Sequence, residues 1–290
     1  MTIVPHPGNA GGGCHDDRVS APLQLPSLPR GGAGGEVPRV DLLGVPIDAV
    51  SLPEAVERID QMMRDGGHHR VVTVNPEFLM AARYRPDFAA VLRSAALATA
   101  DGAGIVLAGR LLGRPFRGRV TGTDLLRPLA RRAAAAGWRL FFLGAADGVA
   151  DRAAAVLCGE APGLCVAGTW SGSPGTDDET AILDRLSSAR PDLLLVAYGA
   201  PAQDLWLARN LERTPATVGI GVGGAFDFVA GLKPRAPLLM RRAGLEWLYR
   251  LWREPWRARR MLALPAFAAL VARELLARRL LFAHRNGECR

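Results

Sequence analysis

The sequence predicts an α/β fold in which helices cover both faces of a mostly parallel sheet. Short apolar runs alternate with helical patterns along most of the 290 residues, and this alternation is typical of parallel strands joined by crossover helices. The run DLLLVAY (192–198) is apolar almost throughout, as expected for a strand covered on both faces. With 49% hydrophobic residues, the chain can bury a full core.

The strands and helices follow in a regular order. Order is predicted to begin near Val40 with the strand VDLLGV, and the capping-box spacing of Ser51 and Glu54 predicts a helix across 53–64. Further strands are predicted at 71–74 and 97–100, within 138–148 and 164–172, and at 192–198 and 217–222. Further helices are predicted from residue 122 or 123 to 136, near 178–189, and after the GAPAQD and GVGGAF turns.

The stretch 71–106 gives the first indication of a functional site. Asn75 can cap a helix whose first residue is Pro76, because the missing proline N–H would be unpaired there in any case. Asp101-Gly-Ala-Gly allows a sharp turn and leaves a carboxylate at the carboxyl end of the next strand. Ligands of open α/β sheets bind outside these strand ends. Adjacent strands would therefore direct Thr73, Asn75 and Asp101 into one crevice.

Glycines at the ends of later strands favour a nucleotide site. Gly144, Gly199 and Gly223 fall at predicted carboxyl ends, and Gly224 follows directly. Exposed backbone N–H groups in such turns bind phosphate without side chains. The segment GVGGAF (221–226) is similar to a dinucleotide fingerprint, but it follows a late strand and lacks the full G-x-G-x-x-G spacing.

Other interpretations of these residues remain open at this point. Asp101 could be only a turn former or a helix cap, Gln203 a surface helix residue and Arg119 a solvated loop charge. Asp177-Asp178 lies in a polar loop, and no paired acidic motif stands at a strand end. We therefore expect no divalent metal site.

Charge and cysteine content restrict the class of protein. The cysteines are dispersed without a CxxC pair, which favours reduced thiols and a cytosolic chain; they are Cys14, Cys158, Cys165 and Cys289. Residues 235–290 hold 13 Arg against four Glu, a net of +9 in a chain of +8, so residues 1–234 carry −1. A basic tail that also contains Trp and Leu favours an anionic membrane surface over nucleic acid as partner.

The tail has the pattern of helices that lie on a membrane. One side carries apolar residues and another carries arginines, the apolar ones being Trp247, Leu248, Leu251, Trp252 and Trp256. The longest uncharged run, 261–272, has 12 residues, whereas a spanning helix needs roughly 20. The alternative is an ordinary helical hairpin that packs on the core with its arginines merely solvated.

Three regions follow from these patterns. Residues 1–38 are rich in Gly and Pro and are predicted to form a disordered leader without the apolar segment of a signal peptide. Residues 39–234 are predicted to form the sheet domain. Residues 235–290 are predicted to form a basic, amphipathic helical appendage that associates with a membrane.

Eight motifs occur along the chain in a fixed order. They are TVNPEF (73–78), ADGAGIV (100–106), RVTGTDL (119–125), FFLGA (141–145), GAPAQD (199–204), GVGGAFDFVAG (221–231), KPRAP (233–237) and GLEWLYRL (244–251) with the following EP.R..R. Together they resemble the WecG/TagA/CpsF glycosyltransferases over about Val40 to Met261. The resemblance implies a Rossmann-like sheet domain with the helical appendage.

The resemblance also implies a reaction and its partners. Such bacterial enzymes are inverting and metal-independent, and they work at the inner face of the plasma membrane in cell-surface polysaccharide biosynthesis. They move a sugar such as N-acetylmannosamine or a related hexose from a UDP-sugar to an undecaprenyl-diphosphate-linked sugar. Neither a cofactor nor nucleic acid is implied, and self-association into a homo-oligomer stays open.

The resemblance assigns roles to individual residues. The family's catalytic base falls on Asp101, and its substrate-pocket residues fall on Thr73, Asn75, Arg119 and Gln203. Its arginines for the diphosphates fall on Arg250, Arg257 and Arg260. The chain departs from the family pattern at Asp204, where Glu is usual, and at Ala202, where Lys or a similar residue is usual. These departures bear on the identity of the donor.

The sequence patterns are compatible with three functions. The preferred one is a membrane-surface glycosyltransferase. A soluble nucleotide-dependent oxidoreductase of Rossmann type would use the glycine turns and would not need the tail. A non-catalytic membrane-binding or scaffold protein would bind vesicles and ignore nucleotide sugars.

Overall fold

The structure is a computed structural model that describes residues 38–287, without the side chains of Arg242, Arg257, Arg259 and residues 279–287. The leader predicted for residues 1–38 lies outside the described residues, except for Pro38. Cys14 and Cys289 lie outside them as well, whereas Cys158 and Cys165 are free thiols.

The described chain contains eight strands in two sheets. They are β1 (Arg39–Leu42), β2 (Val45–Asp48), β3 (His69–Val74), β4 (Leu97–Ala100), β5 (Arg139–Gly144), β6 (Cys165–Trp170), β7 (Leu193–Ala197) and β8 (Val218–Gly221). Strands β3 to β8 form one sheet in the order β4-β3-β8-β7-β5-β6, and every pairing in it is parallel. The predicted mostly parallel α/β sheet is confirmed.

Helices lie on both faces of this sheet. They are α1 (Leu52–Asp65), α2 (Pro76–Tyr84), α3 (Pro86–Arg93), α4 (Ala103–Leu111), α5 (Gly122–Ala136), α6 (Val149–Glu160), α7 (Glu179–Ala189), α8 (Ala202–Asn210), α9 (Ala225–Val229), α10 (Leu238–Arg242), α11 (Glu246–Arg253), α12 (Ala258–Met261) and α13 (Ala263–Gly287). Alternate strand residues point to opposite faces, so Val71 packs in a core with α1, α5 and α6, whereas Val72 packs in another with α2, α3 and α4.

Local sequence signals explain how several helices begin and end. The Ser51 hydroxyl accepts from the Glu54 N–H and the Glu54 carboxylate accepts from the Ser51 N–H, which is the predicted capping box of α1. Helix α5 starts at Gly122 as predicted, with Thr121 as its cap, and stops at Gly137 in the left-handed region.

The first predicted strand, VDLLGV, is wrong in extent. The chain reverses at Leu43 and Gly44, whose φ angles are 54° and 83°, and β1 and β2 pair as an antiparallel hairpin outside the main sheet. Glycine permits this conformation without a steric penalty. The hairpin is anchored to the main sheet because Asp48 Oδ2 accepts from the Ala98 N–H at 2.8 Å.

The C-terminal segment is helical, as predicted. Helix α13 packs against α2 and α4 and buries Phe267 and Val271, so these two side chains belong to the hydrophobic core. Helix α11 instead exposes part of Trp247 and Leu248 and most of Trp252 to solvent. Among the residues that the structure describes, no helix is both long enough and apolar enough to span a bilayer.

Candidate active site

The sheet topology brings the predicted site residues to one edge. Parallel strands share the direction of their carboxyl ends, so the turns after neighbouring strands lie side by side. Read across the sheet, this edge carries Asp101 after β4, Asn75 after β3, Gly223 after β8, Gly199 after β7 and Gly144 at the end of β5. The carboxylate therefore lies toward one end of this edge, and the glycine turns lie toward the other.

Asp101 lies where β4 turns into α4. Its N–H donates to the Val74 carbonyl at 2.8 Å, which extends the pairing of β3 and β4 by one residue. Gly102 follows with a φ of 102°, a conformation that favours glycine, and α4 begins at Ala103. The turn holds the partly buried Asp101 carboxylate at the carboxyl edge of the sheet.

The surroundings of Asp101 shift its acidity. Burial raises the pKa of this carboxyl group to about 7, Arg250 and Arg119 oppose the rise, and Asp124 and Glu246 add to it. A carboxyl group with a pKa near neutrality holds a proton more strongly than an ordinary aspartate does. It can therefore take a proton from a hydroxyl group in a reaction near neutral pH.

Two arginines share one buried carboxylate beside Asp101. Glu246, at the start of α11, lies 3.2 Å from the Arg119 guanidinium and 3.1 Å from that of Arg250. The Arg250 guanidinium also lies 4.7 Å above the centre of the Phe228 ring. Arg119 comes from the loop before α5, so these ion pairs fasten the C-terminal segment to the sheet domain.

The arginines retain unused donor groups. The Nε atoms of Arg235, Arg241 and Arg250 are buried and have no hydrogen-bond partner among the described residues. Arg235 also pairs with Asp124 at 2.9 Å, close to the same cluster. A buried donor without an acceptor is costly, and an anionic ligand would supply acceptors.

Asn75 and Thr73 stand on β3 and in the turn after it. The Asn75 Oδ1 accepts from the Phe78 N–H at 3.0 Å, so the predicted cap of α2 is confirmed. The amide nitrogen of Asn75 is a donor that can contact a ligand. Thr73 is buried beside Thr99 of β4. Their roles in substrate binding stay predictions.

Gln203 connects two of the glycine turns. Its Oε1 accepts from the N–H of Gly199 at 3.1 Å and from that of Gly223 at 2.9 Å. The side chain is buried, so the alternative of a surface helix residue is wrong. Because these two N–H groups are already bonded, an anion at this end would rely on other donors in the turns. Gly144 has a φ of 96°, and a Cβ there would lie 2.9 Å from the Ala197 carbonyl carbon.

The other arginines assigned to diphosphate binding are Arg260 and Arg257, and their assignments stay predictions. Arg260 pairs with Glu77 in the first turn of α2, with 2.7 Å between the guanidinium and the carboxylate. The Arg257 side chain lies outside the described residues. Between the two whose side chains are described, Arg250 has an effect on the pKa of Asp101.

Three residues of this site were not predicted from the sequence, namely Glu246, Asp124 and Arg235. Each lies inside a motif quoted for the resemblance, namely GLEWLYRL, RVTGTDL and KPRAP, but no local pattern indicates that they meet. These residues come together through contacts between segments that are more than 100 residues apart. One such contact is the bond from Arg119 to Glu246, which are 127 positions apart in the sequence.

Comparison with known families decides the class of protein. Residues 40–280 match the Glycosyl transferase WecG/TagA/CpsF family. The chain belongs to the WecG/TagA/CpsF family. It is therefore a glycosyltransferase of polysaccharide biosynthesis, which excludes both the oxidoreductase and the non-catalytic scaffold.

Relatives within the WecG/TagA/CpsF family carry a specific name, N-acetylglucosaminyldiphosphoundecaprenol N-acetyl-beta-D-mannosaminyltransferase. The protein of Bacillus spizizenii is 36% identical over 201 residues, which cover 69% of this chain and 77% of the relative. That of Bacillus subtilis is 35% identical, covering 70% and 79%. That of Staphylococcus aureus strain MW2 is 30% identical over 237 residues, covering 81% and 92%.

Proposed function

We propose that this glycosyltransferase moves N-acetylmannosamine or a related hexose from a UDP-sugar to an undecaprenyl-diphosphate-linked sugar. The transfer inverts the anomeric configuration and requires no metal ion. The observation that carries this proposal is Asp101, a partly buried carboxyl group with a pKa of about 7, beside Arg119 and Arg250. The names of the relatives supply the sugar and the acceptor.

Asp101 acts as the general base in a single displacement. The acceptor hydroxyl oxygen attacks the anomeric carbon and gives its proton to the Asp101 carboxylate. As the new C–O bond forms, the bond from the anomeric carbon to the donor diphosphate breaks. The electron pair of that bond leaves with the diphosphate, so attack and departure on opposite sides of the carbon invert its configuration.

The arginines around Asp101 stabilise the leaving diphosphate. Negative charge grows on it in the transition state, and guanidinium groups can form bidentate bonds to phosphate oxygens. Arg250 has a buried Nε–H without a partner among the described residues, which such an oxygen can accept. Arg119 carries the second charge at the same end of the sheet, while Gln203 and the turns at Gly199 and Gly223 are proposed to hold the nucleotide.

A turnover assay with a panel of donors tests the proposed function. UDP- and GDP-linked hexoses and N-acetylhexosamines are each incubated with the chain and an N-acetylglucosaminyl-diphosphate-polyprenyl acceptor. We expect a UDP-linked N-acetylhexosamine to add one sugar to the acceptor, detected as a mass increase of the product. No product with any donor would contradict the proposal, and a product with GDP-sugars alone would contradict the UDP donor.

Activity should survive removal of divalent metal ions. Among the described residues, no group of three or more His, Cys, Asp and Glu side chains is arranged to hold a metal ion, and arginines can take over the neutralisation of the diphosphate. We expect turnover in excess EDTA to stay within about twofold of the untreated rate. Loss of activity on chelation, with recovery on addition of Mg²⁺ or Mn²⁺, would contradict this expectation.

We further propose that residues 235–290 form an appendage that holds the enzyme on the cytoplasmic leaflet. Among the described side chains, all but one of the exposed large hydrophobic ones lie in α4 or after residue 231, and Trp252 and Trp256 are each 74% exposed. Aromatic side chains of this kind enter the membrane interface, and nearby arginines attract anionic lipid.

The double variant Trp252→Glu/Trp256→Glu should reduce co-sedimentation with anionic vesicles about tenfold or more, because it places charge where apolar rings meet lipid. Tyr84→Glu is the matched control, since Tyr84 is 80% exposed but lies in α2. Both variants keep α13, which packs on the core, so the fold is preserved. Equal vesicle binding by the double variant and wild type would make the membrane proposal untenable.

A further inference from the structure

A large groove lies between α4 and the C-terminal helices. It encloses about 1140 Å³, slightly above the roughly 300–1,000 Å³ of ordinary ligand pockets. Its α4 wall includes Leu107 and Leu111, and its opposite wall includes Leu264, Ala268 and Ala272 of α13. The lining is thus largely aliphatic, as suits a hydrocarbon ligand.

The groove is continuous with the candidate active site. Ala103 and Gly104, which line it, follow directly after Asp101 and Gly102. Arg119 also lines the groove, and it is one of the two arginines that act on the acidity of Asp101. A Cβ at Gly244 would lie 2.6 Å from the Ala103 Cβ, so the two walls meet closely beside Asp101.

Positive charge accompanies the apolar lining. Arg110, Arg119 and Arg241 line the groove together with the aliphatic residues. The Nε of Arg241 is buried without a hydrogen-bond partner among the described residues, so it lacks an acceptor. A ligand that joins an anionic group to a long apolar chain would supply an acceptor for the arginines and would cover the aliphatic lining.

The apolar lining is also open to the surroundings. Leu107 is 56% exposed, Leu111 51%, Leu238 53% and Trp247 41%. A cluster of exposed apolar side chains on a soluble domain is typical of a binding surface. Leu107 and Leu111 belong to α4, Leu238 to α10 and Trp247 to α11, so the exposed apolar side chains come from more than one wall of the groove.

We propose that this groove binds the first isoprene units of the acceptor's polyprenyl chain. Arg241, whose buried Nε lacks an acceptor, then contacts the acceptor's diphosphate, and the attached sugar reaches Asp101. The proposal rests on the proposed function and adds a site for the lipid part of the acceptor. It makes the polyprenyl chain a determinant of specificity as well as a membrane anchor.

The test compares two acceptors that share a head group. One is N-acetylglucosaminyl diphosphate with a long polyprenyl chain, and the other is the same diphosphate with an ethyl group, both in the same mixed micelles. Ala268→Trp and Ala272→Trp place large rings in the groove. Ala269→Trp is the matched control, because Ala269 is an exposed alanine of α13 that does not line the groove.

We expect wild type to prefer the polyprenyl acceptor by at least about tenfold in kcat/KM, since burial of a few methylene groups is sufficient for this difference. For the Ala268→Trp and Ala272→Trp variants, kcat/KM with the polyprenyl acceptor should fall about tenfold or more. Their kcat/KM with the ethyl acceptor should equal that of wild type. The Ala269→Trp control should behave as wild type. Thermal melting should show all three variants folded.

Other outcomes distinguish a failure of the groove proposal from a failure of the proposed function. If wild type turns over both acceptors with equal kcat/KM and the tryptophans change neither, the groove proposal is wrong while the function stands. The two groove substitutions could instead change vesicle binding or the oligomeric state and leave the preference for the polyprenyl acceptor unaffected. The groove would then hold bilayer lipid or a second copy of the chain, and the groove proposal would be wrong. If no acceptor reacts with wild type, the proposed function itself fails.

Discussion

The Asp101→Asn variant is expected to lower turnover by about 10²–10⁴-fold, because asparagine keeps the shape of the side chain and cannot take the acceptor's proton. Donor binding should change little, since the reacting hydroxyl belongs to the acceptor. The measurement is steady-state turnover alongside a titration of UDP-sugar binding. The conservative change preserves the turn between β4 and α4, which depends on the backbone at Asp101 and Gly102.

A structural role for Asp101 would give a different result. If the residue were only a turn former, asparagine would serve equally well, since both residues favour turns. A variant that retains more than half of the wild-type turnover would therefore exclude Asp101 as the base. A variant that loses donor binding to the same degree as turnover would indicate a binding role instead.

The Arg250→Ala variant is expected to lower kcat by about 10²–10³-fold, because it removes a donor aimed at the charge that develops on the leaving diphosphate. Arg253→Ala is the matched control, since Arg253 lies in the same helix and is exposed. The two variants change net charge equally. A difference between them therefore reports position and not overall electrostatics.

The pH dependence gives a second readout for Arg250. Its positive charge lowers the pKa of Asp101, so its removal should raise that pKa and move the acid limb of the rate profile to higher pH. Arg253→Ala should leave the limb in place. Equal kcat and equal pH profiles for the two variants would contradict the assignment of Arg250 to the site.

Local structure could be predicted where neighbouring residues determine it. The capping box of Ser51 and Glu54, the cap at Asn75 and the stop at Gly137 each depend on bonds within a few residues. The position of Asp101 followed from two facts, that its strand is parallel to the one ending at Asn75 and that carboxyl ends share an edge.

Long-range packing could not be predicted from these patterns. The ion pair of Arg119 with Glu246 and the bond of Arg278 to the Leu112 carbonyl join distant segments, so no local spacing indicates them. The bond from the Gly223 N–H to Gln203 could not be predicted, because the two residues are 20 positions apart in the sequence. The hairpin turn at Leu43 was missed because a non-glycine residue adopts a positive φ there.

A second buried carboxyl group must be distinguished from Asp101. Burial raises the pKa of Asp204 on α8 to about 7 as well, with Gln203 and Arg70 among the groups that oppose the rise. Asp204 lies against Gly221, where a Cβ would come within 2.6 Å of its Oδ1. An acid limb near neutral pH in the rate profile could therefore come from either group, and a variant is needed to separate them.

The pH profile of kcat/KM, for wild type and for Asp204→Asn, tests the central claim most directly. A protonated Asp101 cannot act as base, so the wild-type rate should fall about tenfold for each pH unit below about 7 and level off above it. Asp204→Asn should keep this limb whatever its effect on the plateau. A wild-type profile that is flat from about pH 5 to about pH 8, or a limb that disappears in Asp204→Asn, would contradict Asp101 as the catalytic base.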